Sequence, residues 1–254
     1  SAANIKLANL EKTFFAMFSQ EWQRQRGTQP LRQIAIIDDE PNNQYLYPEF
    51  QLFQQLFQSF GMQAVVIDAR ELRWHDGKLW ANERPIDLVY NRLTDFYLED
   101  TAHQALKMAY EANAVVLTPH PQAHALYANK HNLVRLSNAQ SLTQLGINEA
   151  LQQTLLNTIP KTETVNPAKA DDLWARRKQL FFKPANGYGS KATYRGDKMT
   201  RRVWEEILQG DYVAQQLVPP SARRLQADGV EAELKVDIRA YAYAGEIQLL
   251  AARL

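Results

Sequence analysis

FFKPANGYGSKATYRG, residues 181–196, is the passage on which the reading of this chain turns. Phe181-Phe182 begins a strand pattern that delivers Lys183. Pro184-Ala185-Asn186-Gly187-Tyr188-Gly189-Ser190-Lys191 then has loop composition, and strand pattern resumes at Tyr194-Arg195. Two neighbouring glycines let backbone N–H groups close around an anion with no Cβ in the way, while Lys183 and Lys191 supply positive charge. The surroundings are basic. Residues 169–202 hold ten Lys or Arg against three Asp, a local net of +7 in a chain whose formal charge is +1. That electrostatic setting suits a polyphosphate. The same residues also describe a glycine-rich hairpin with solvated basic faces, and this passage alone leaves both readings open. A Walker loop is excluded, because Gly-x-x-x-x-Gly-Lys-[Ser/Thr] does not occur and the context is strand–loop–strand.

Downstream, Tyr212 to Val218 reads as a strand stopped by Pro219-Pro220, and such a strand can offer backbone groups to an adenine edge. Glu233 to Tyr241 alternates polar and apolar. Lys235, Asp237, Arg239 and Tyr241 share one face, and Val236, Ile238, Ala240 and Ala242 share the other, which is expected to enter the core. Ile247 to Ala252 follows as another strand. A two-residue turn at Ala244-Gly245 would pair Arg253 with Val236, on the face opposite Arg239. A longer turn or a bulge is needed to bring the two arginines together.

Upstream, the period changes twice. Leu7, Leu10, Phe14, Phe18 and Trp22 fall at helical spacing, stopped by Gly27 and Pro30, and are expected to pack as an arm on their own domain. Ile34-Ala35-Ile36-Ile37 reads as a strand buried on both faces. A helix carrying Phe50, Phe53, Leu56, Phe57 and Phe60 follows, ended by Gly61. Strands at 64–67, 86–90 and 114–117, a hairpin about Asp76-Gly77 and a helix at 102–111 complete a parallel α/β pattern over 31–125. No Gly-x-Gly-x-x-Gly follows the first strand, so a dinucleotide fingerprint is absent. Helical spacing over 133–145 leads to an irregular connector from Ile159 to Pro167, then a helix at 168–177 and another near 203–208.

Composition narrows the function classes. The 254 residues include 29 Lys plus Arg, 28 Asp plus Glu and no Cys. Near-neutral charge argues against a globally basic nucleic-acid binder, and the absence of Cys excludes disulfides, thiolate metal sites and thiol nucleophiles. No apolar run approaches the ~20 residues a bilayer requires, and no secretory leader is visible, so a cytoplasmic protein is expected. The chain starts without Met and ends within a strand pattern, Leu249 to Leu254, so trimming at one or both ends is expected.

Taken in order, Lys183 with its glycine loop, the Gln215-Gln216-Leu217-Val218 strand, the Asp237-x-Arg239 strand and the strand ending Ala251-Ala252-Arg253 resemble the ATP-grasp superfamily. IDLVYNRLTDFYLED (86–100), followed by a helix, a strand and ALYANKHNLVRLS (125–137), resembles the circularly permuted ATP-grasp group related to glutathionylspermidine synthases. The resemblance spans about residues 31–254. It implies an α/β fold with α+β character in its C-terminal half: a helical arm (1–30), a parallel α/β substrate-side domain (31–128) and an ATP-grasp region with a mainly antiparallel sheet (129–254), incomplete at its C-terminus. It further implies ATP and Mg²⁺ as cofactors. Lys130 and Lys183 would approach the nucleotide, with Gly187, Tyr188, Gly189, Ser190 and Lys191 as the closing loop and Gln216 and Val218 as the adenine-facing hinge. Asp237, Arg239 and Arg253 would lie beside the γ-phosphate and the substrate carboxylate, and Arg92 and Asp95 in the first domain's substrate-facing turn. Asp237 alone is a weak magnesium ligand, and the family's main metal ligands are expected beyond Leu254.

The implied activity is ligation of a small-molecule or peptide carboxylate to an amine or thiol through an acyl phosphate. A nucleotide-binding regulatory protein without turnover is the alternative. A nucleic-acid module using 169–202 is disfavoured, because aromatic residues are sparsely interleaved there. His120 and His124, four apart, with His131 after them, have no nearby carboxylate to complete a zinc site. His75 and His103 read as surface residues.

Overall fold

The computed structural model describes residues 10–189, 191–227 and 230–253, so Leu7, Ser190 and Leu254 lie outside the described residues. The chain divides into two compact units. One holds the residues up to Gln122 together with those from Arg224 onward, and the other is Ala123–Arg223. The sequence reading draws its boundary at 128/129.

In the first unit, α1 (Leu10–Arg26) precedes β1 (Gln33–Asp38), α2 (Tyr47–Ser59) and β2 (Gln63–Asp68). Then come the short strands β3 (Arg73–His75), β4 (Lys78–Ala81) and β5 (Arg84–Pro85), followed by β6 (Leu88–Asn91), α3 (Gln104–Glu111) and β7 (Val116–Thr118). The parallel sheet has the order β2-β1-β6-β7. Ile34, Ala35, Ile36 and Ile37 are fully buried, as a doubly covered strand requires. Ile34 and Ile36 meet Phe18, Phe50 and Phe57, whereas Ala35 and Ile37 meet Val89, Leu106 and Leu117. The aromatic stripe of α1 is therefore covered by its own unit: Phe18 stands edge-on to Phe57 at 5.0 Å and to Tyr90 at 4.9 Å. Because β2 and β6 flank β1, the loops leaving β1 and β6 diverge around a crevice at their C-terminal ends, where open α/β sheets place ligands.

The second unit runs from α4 (Pro121–Tyr127) through α5 (His131–Leu136), α6 (Ala139–Gln144), α7 (Glu149–Thr158), β8 (Thr162–Thr164), α8 (Ala170–Ala175), β9 (Leu180–Pro184), β10 (Tyr194–Arg195), α9 (Arg201–Gln209) and β11 (Tyr212–Gln216). Its antiparallel sheet has the order β10-β9-β11-β8. β8 falls inside the stretch expected to be an irregular connector. It is a strand because its backbone pairs with β11, Val213 opposite Thr164 and Gln215 opposite Thr162, and three residues carry too little pattern to announce that. Leu180, Phe182 and Ala214 bury one sheet face against Leu173, Trp204 and Ile207.

A third sheet, in the order β12-β13-β14, joins β12 (Ser221–Ala227), β13 (Val230–Tyr243) and β14 (Glu246–Arg253). The turn is two residues, Ala244-Gly245, both at positive φ (52° and 86°). A bulge follows: Tyr241 faces Leu249 but Ala242 faces Ile247, leaving Gln248 extra. The added residue shifts the register so that Arg253 opposes Asp237, on the face of Arg239. One expectation fails. Val236, Ile238 and Ala240 do not enter a core: Ile238 is 67% exposed and Ile247 and Leu250 on the same face are 62% and 49% exposed, because no described element covers that side. On the opposite face, the Tyr243 hydroxyl donates to Glu21 at 2.5 Å under the Arg24 guanidinium.

Candidate functional site

Lys183 sits near the end of β9, one residue from the buried Phe182, so strand alternation turns it to the face opposite the core. Its Nζ donates to Gln215 Oε1 at 2.7 Å. Gln215 is itself buried and donates from Nε2 to Thr162 Oγ1 at 3.0 Å. Beyond Pro184 the chain is pinned: Lys130 N donates to Ala185 O at 2.9 Å and Ala185 N to Asp211 O at 2.8 Å. The exposed loop from Asn186 stands on that root. Lys130, just ahead of α5, reaches back so that its Nζ donates to Gly187 O at 3.0 Å. Gly187 has φ of +152°, and a Cβ there would lie 3.1 Å from Pro184 Cγ, so a side chain would be strained and crowded.

These residues enclose a cavity of about 250 Å³, lined by Lys130, Lys183, Gly187, Tyr188, Gly189 and Lys191 among others. Lys191 Nζ donates to the Tyr188 hydroxyl at 3.2 Å and lies 4.7 Å above its ring. Burial pulls the Lys183 ammonium below its ordinary range, and the charge of Lys130 pulls it further. Burial alone lowers Lys130. Two ammonium groups crowded into one cleft and hydrogen-bonded to neutral oxygens are destabilised as cations, and an anion placed between them relieves both. The donor set thus fits a polyphosphate. Ser190 lies outside the described residues.

Gln216 and Val218 lie at the other end of the β9–β11 pair, where Gln216 opposes Leu180. Gln216 lines a groove of about 540 Å³ with Lys161, Glu163, Arg176 and Leu217, and Val218 is exposed. The N–H of Gln216 is donated to Lys161 O and that of Leu217 to Gln179 O, both at 2.8 Å. A purine edge read there would therefore meet carbonyl oxygens or the backbone of Val218. Gln215 is the functional candidate that sequence reasoning missed. Only the register shows that Gln215, two residues on from Val213 opposite Lys183, shares the lysine's face while Gln216 does not.

The remaining candidates belong to the first unit. Arg92 is turned onto α2, 3.2 Å from Glu49 Oε1, donating to the Tyr90 hydroxyl at 2.8 Å and lying over Phe50. Asp95 accepts from His103 Nδ1 at 2.7 Å. Asp237 receives a hydrogen bond from Arg253 and lies 4.0 Å from Arg239 Nε. A carboxylate shared by two guanidiniums has little charge left for a divalent cation, and no three metal-capable side chains cluster among the described residues. The residues present do not form a magnesium site. His103 corrects its expectation: it is 2% exposed, because Asp39 and Asp95 close over both ring nitrogens.

No family model matches the chain, and no curated protein matches it. Among solved structures, it is similar to a glutathione synthetase-like effector, GSS30 from Globodera pallida, in apo form. The identity is 10% and the TM-score 0.55, with 90% of this chain and 51% of that one covered. The chain thus spans about half the length of that relative. D-cycloserine synthetase DcsG (17% identity, TM-score 0.45, 72% of this chain and 58% of that) and ATP-grasp ligase PsnB complexed with minimal precursor (14%, 0.42, 87% and 75%) superpose less well. The likeness to the effector is one of fold. It agrees with the mixed α/β architecture described above.

Proposed function

We propose that the cavity beneath the Gly187–Gly189 loop binds the phosphates of ATP and that the protein is an ATP-dependent ligase joining a carboxylate to an amine or thiol. The supporting observation is the convergence of Lys130 and Lys183, both with lowered proton affinity, under one glycine loop. In this reading the γ-phosphoryl group passes from ATP to a carboxylate oxygen, releasing ADP. The amine nitrogen or thiol sulfur then attacks the acyl carbon, inorganic phosphate leaves, and the nucleophile loses its proton. Lys130, Lys183 and Lys191 orient the phosphates, and Gly187, Tyr188 and Gly189 exclude water when the loop closes. Arg239 and Arg253 would clamp the carboxylate, with Arg92 and Asp95 in the substrate-side turn. No step is assigned to magnesium, since the described donor set does not hold it.

The test is ligand-dependent stability. Millimolar ATP should raise the melting temperature while NAD leaves it unchanged, and no ATP shift would refute the reading. The engagement of Asp237 by arginine favours one second reading, a nucleotide-binding regulator without turnover. It is separated by ADP release: binding without ADP formation in the presence of varied carboxylates and amines supports the regulator.

A further inference from the structure

We propose that His103 is a positioning residue: its doubly protonated ring clips the loop after β6, which carries Arg92 and Asp95, to the loop after β1, and deprotonation loosens that loop. The geometry leaves one arrangement that satisfies every atom. His103 Nδ1 lies 2.7 Å from Asp95 Oδ2 and Nε2 lies 2.9 Å from Asp39 Oδ1, in a side chain only 2% exposed. Ionised carboxylates only accept. A neutral imidazole carries one N–H and can serve one of them, whereas an imidazolium serves both. Asp95 also accepts from the N–H of Asp100 at 2.9 Å, which closes the 95–100 loop on itself. Arg92 N donates to Ile37 O at 2.9 Å, so the loop begins directly on the sheet. The ring therefore ties together the two loops that diverge at the crevice between β1 and β6.

The charges on the elements around the ring can be named. Asp38 and Asp39 leave β1; Arg92, Asp95, Glu99 and Asp100 lie on the clipped loop. Arg70 and Glu71 lie on the 69–71 turn packed against 101–103, and Lys107 follows one helical turn along α3. Burial pulls the ring toward neutrality, but the hydrogen bonds and charges of Asp39 and Asp95 outweigh it and raise its proton affinity above the ordinary histidine value. Asp95 moves consistently: burial raises it, yet the hydrogen bonds from the Asp100 N–H and His103 prevail and hold it below the usual carboxylate range. For a folded value raised above the unfolded one, the stabilisation is complete below about pH 6.5 and is lost as pH rises through the raised value. The clip is an acid-side lock.

The inference lies within the first unit and uses no atom of the nucleotide cavity, so either proposal can fail without the other. The experiment is hydrogen exchange of the full chain between roughly pH 5.5 and 9.5, corrected for intrinsic exchange, across the histidine range. Amides of residues 93–100 should lose protection by up to about tenfold per pH unit between about pH 6.5 and the titration of the ring itself, and level off above it, while Ile34–Ile37 amides stay level. His103→Gln, which can satisfy one carboxylate but carries no titrating proton, should abolish that step and leave the loop in its high-pH state throughout. NMR titration of the wild-type His103 ring provides the reading that needs no variant. A midpoint above the ordinary histidine value, tracking the loop's exchange, supports the clip. A midpoint at or below that value, pH-independent protection of 93–100, or a step that persists in His103→Gln overturns it.

Discussion

Replacing Lys183 by Met removes the charge and keeps most of the stem, so it isolates what the ammonium does. In the free protein the ammonium is hydrogen-bonded to Gln215 Oε1 at 2.7 Å and lies 5.5 Å from the centre of the Phe181 ring. The variant leaves Gln215 Oε1 without that donor, a cost of about 1–3 kcal/mol, while the Gln215–Thr162 bond at 3.0 Å survives. Against this, a half-buried cation and its repulsion with Lys130 both disappear. Free-protein stability should therefore change by only about 1 kcal/mol in either direction. Nucleotide binding has no such offset. Loss of a charged hydrogen bond to phosphate costs about 1.5–3 kcal/mol, or roughly 10- to 150-fold in affinity. Calorimetric titration of ATP, and of tripolyphosphate to remove the adenine contribution, reads this directly. A variant that melts with the wild type and binds both ligands within about twofold of wild type would refute the phosphate assignment.

Lys130→Met should raise the Lys183 proton affinity toward its ordinary value, since one cause of its lowering is removed; NMR of labelled lysine checks this. Gly196→Ala should destabilise the second unit by at least about 1–3 kcal/mol in denaturant titration, because its Cβ would fall 1.9 Å from the Arg177 carbonyl oxygen. Asp68 is held at about 2 by the Arg70 side chain, with the N–H groups of Arg70 and Glu40 adding to it, so its contribution is present above pH 3.8 and lost as pH falls toward 2. Asp68→Asn should flatten that part of the acid-unfolding curve. Arg253→Met should release the Asp237 carboxylate from its pair, shifting the carboxylate carbon by NMR with little change in melting temperature, since the pair is exposed.

The sequence was most informative where residues answer to their neighbours. Four consecutive apolar residues, Ile34 to Ile37, make a strand covered on both faces, and glycines at 27 and 61, both at positive φ, close the helices before them. The glycine loop and its two lysines were legible because spacing and charge are local. What escaped depends on partners distant in sequence. β8 exists through β11, and Gln215 rather than Gln216 meets Lys183 through a register fixed across thirty-two residues. His103 is buried because carboxylates eight and sixty-four residues away converge on it. The exposed apolar face of β13 and β14 shows the converse: alternation tells which residues share a face but not whether anything lies against it.

The local charge of residues 169–202 is a poor measure of what that segment offers an anion. Much of that charge is committed. Arg176 is held by Glu163 at 2.6 Å and Asp172 at 2.8 Å, Arg195 by Asp197 at 2.8 Å, and Arg202 by Glu206 at 3.3 Å. Arg177 and Arg201 lie 4.0 and 3.9 Å from the centre of the Trp174 ring. Exposed cations further than ~8–10 Å from a ligand are screened at physiological salt, so their number says little about affinity. Lys183 and Lys130 differ in kind. They are partly buried, and their hydrogen-bond partners are the Gln215 amide oxygen and the Gly187 carbonyl, which solvate the charge without cancelling it. At an effective dielectric near 20, a charge about 4 Å away is worth ~4 kcal/mol, against ~1 kcal/mol in bulk water. An anion between these two ammonium groups therefore gains more than one on the basic surface. It also restores to both lysines the proton affinity that burial lowers. Nucleotide binding should accordingly take up protons near the upper end of the accessible pH range. Calorimetry in buffers of different ionisation enthalpy would detect that uptake, and its absence would place the bound phosphates elsewhere.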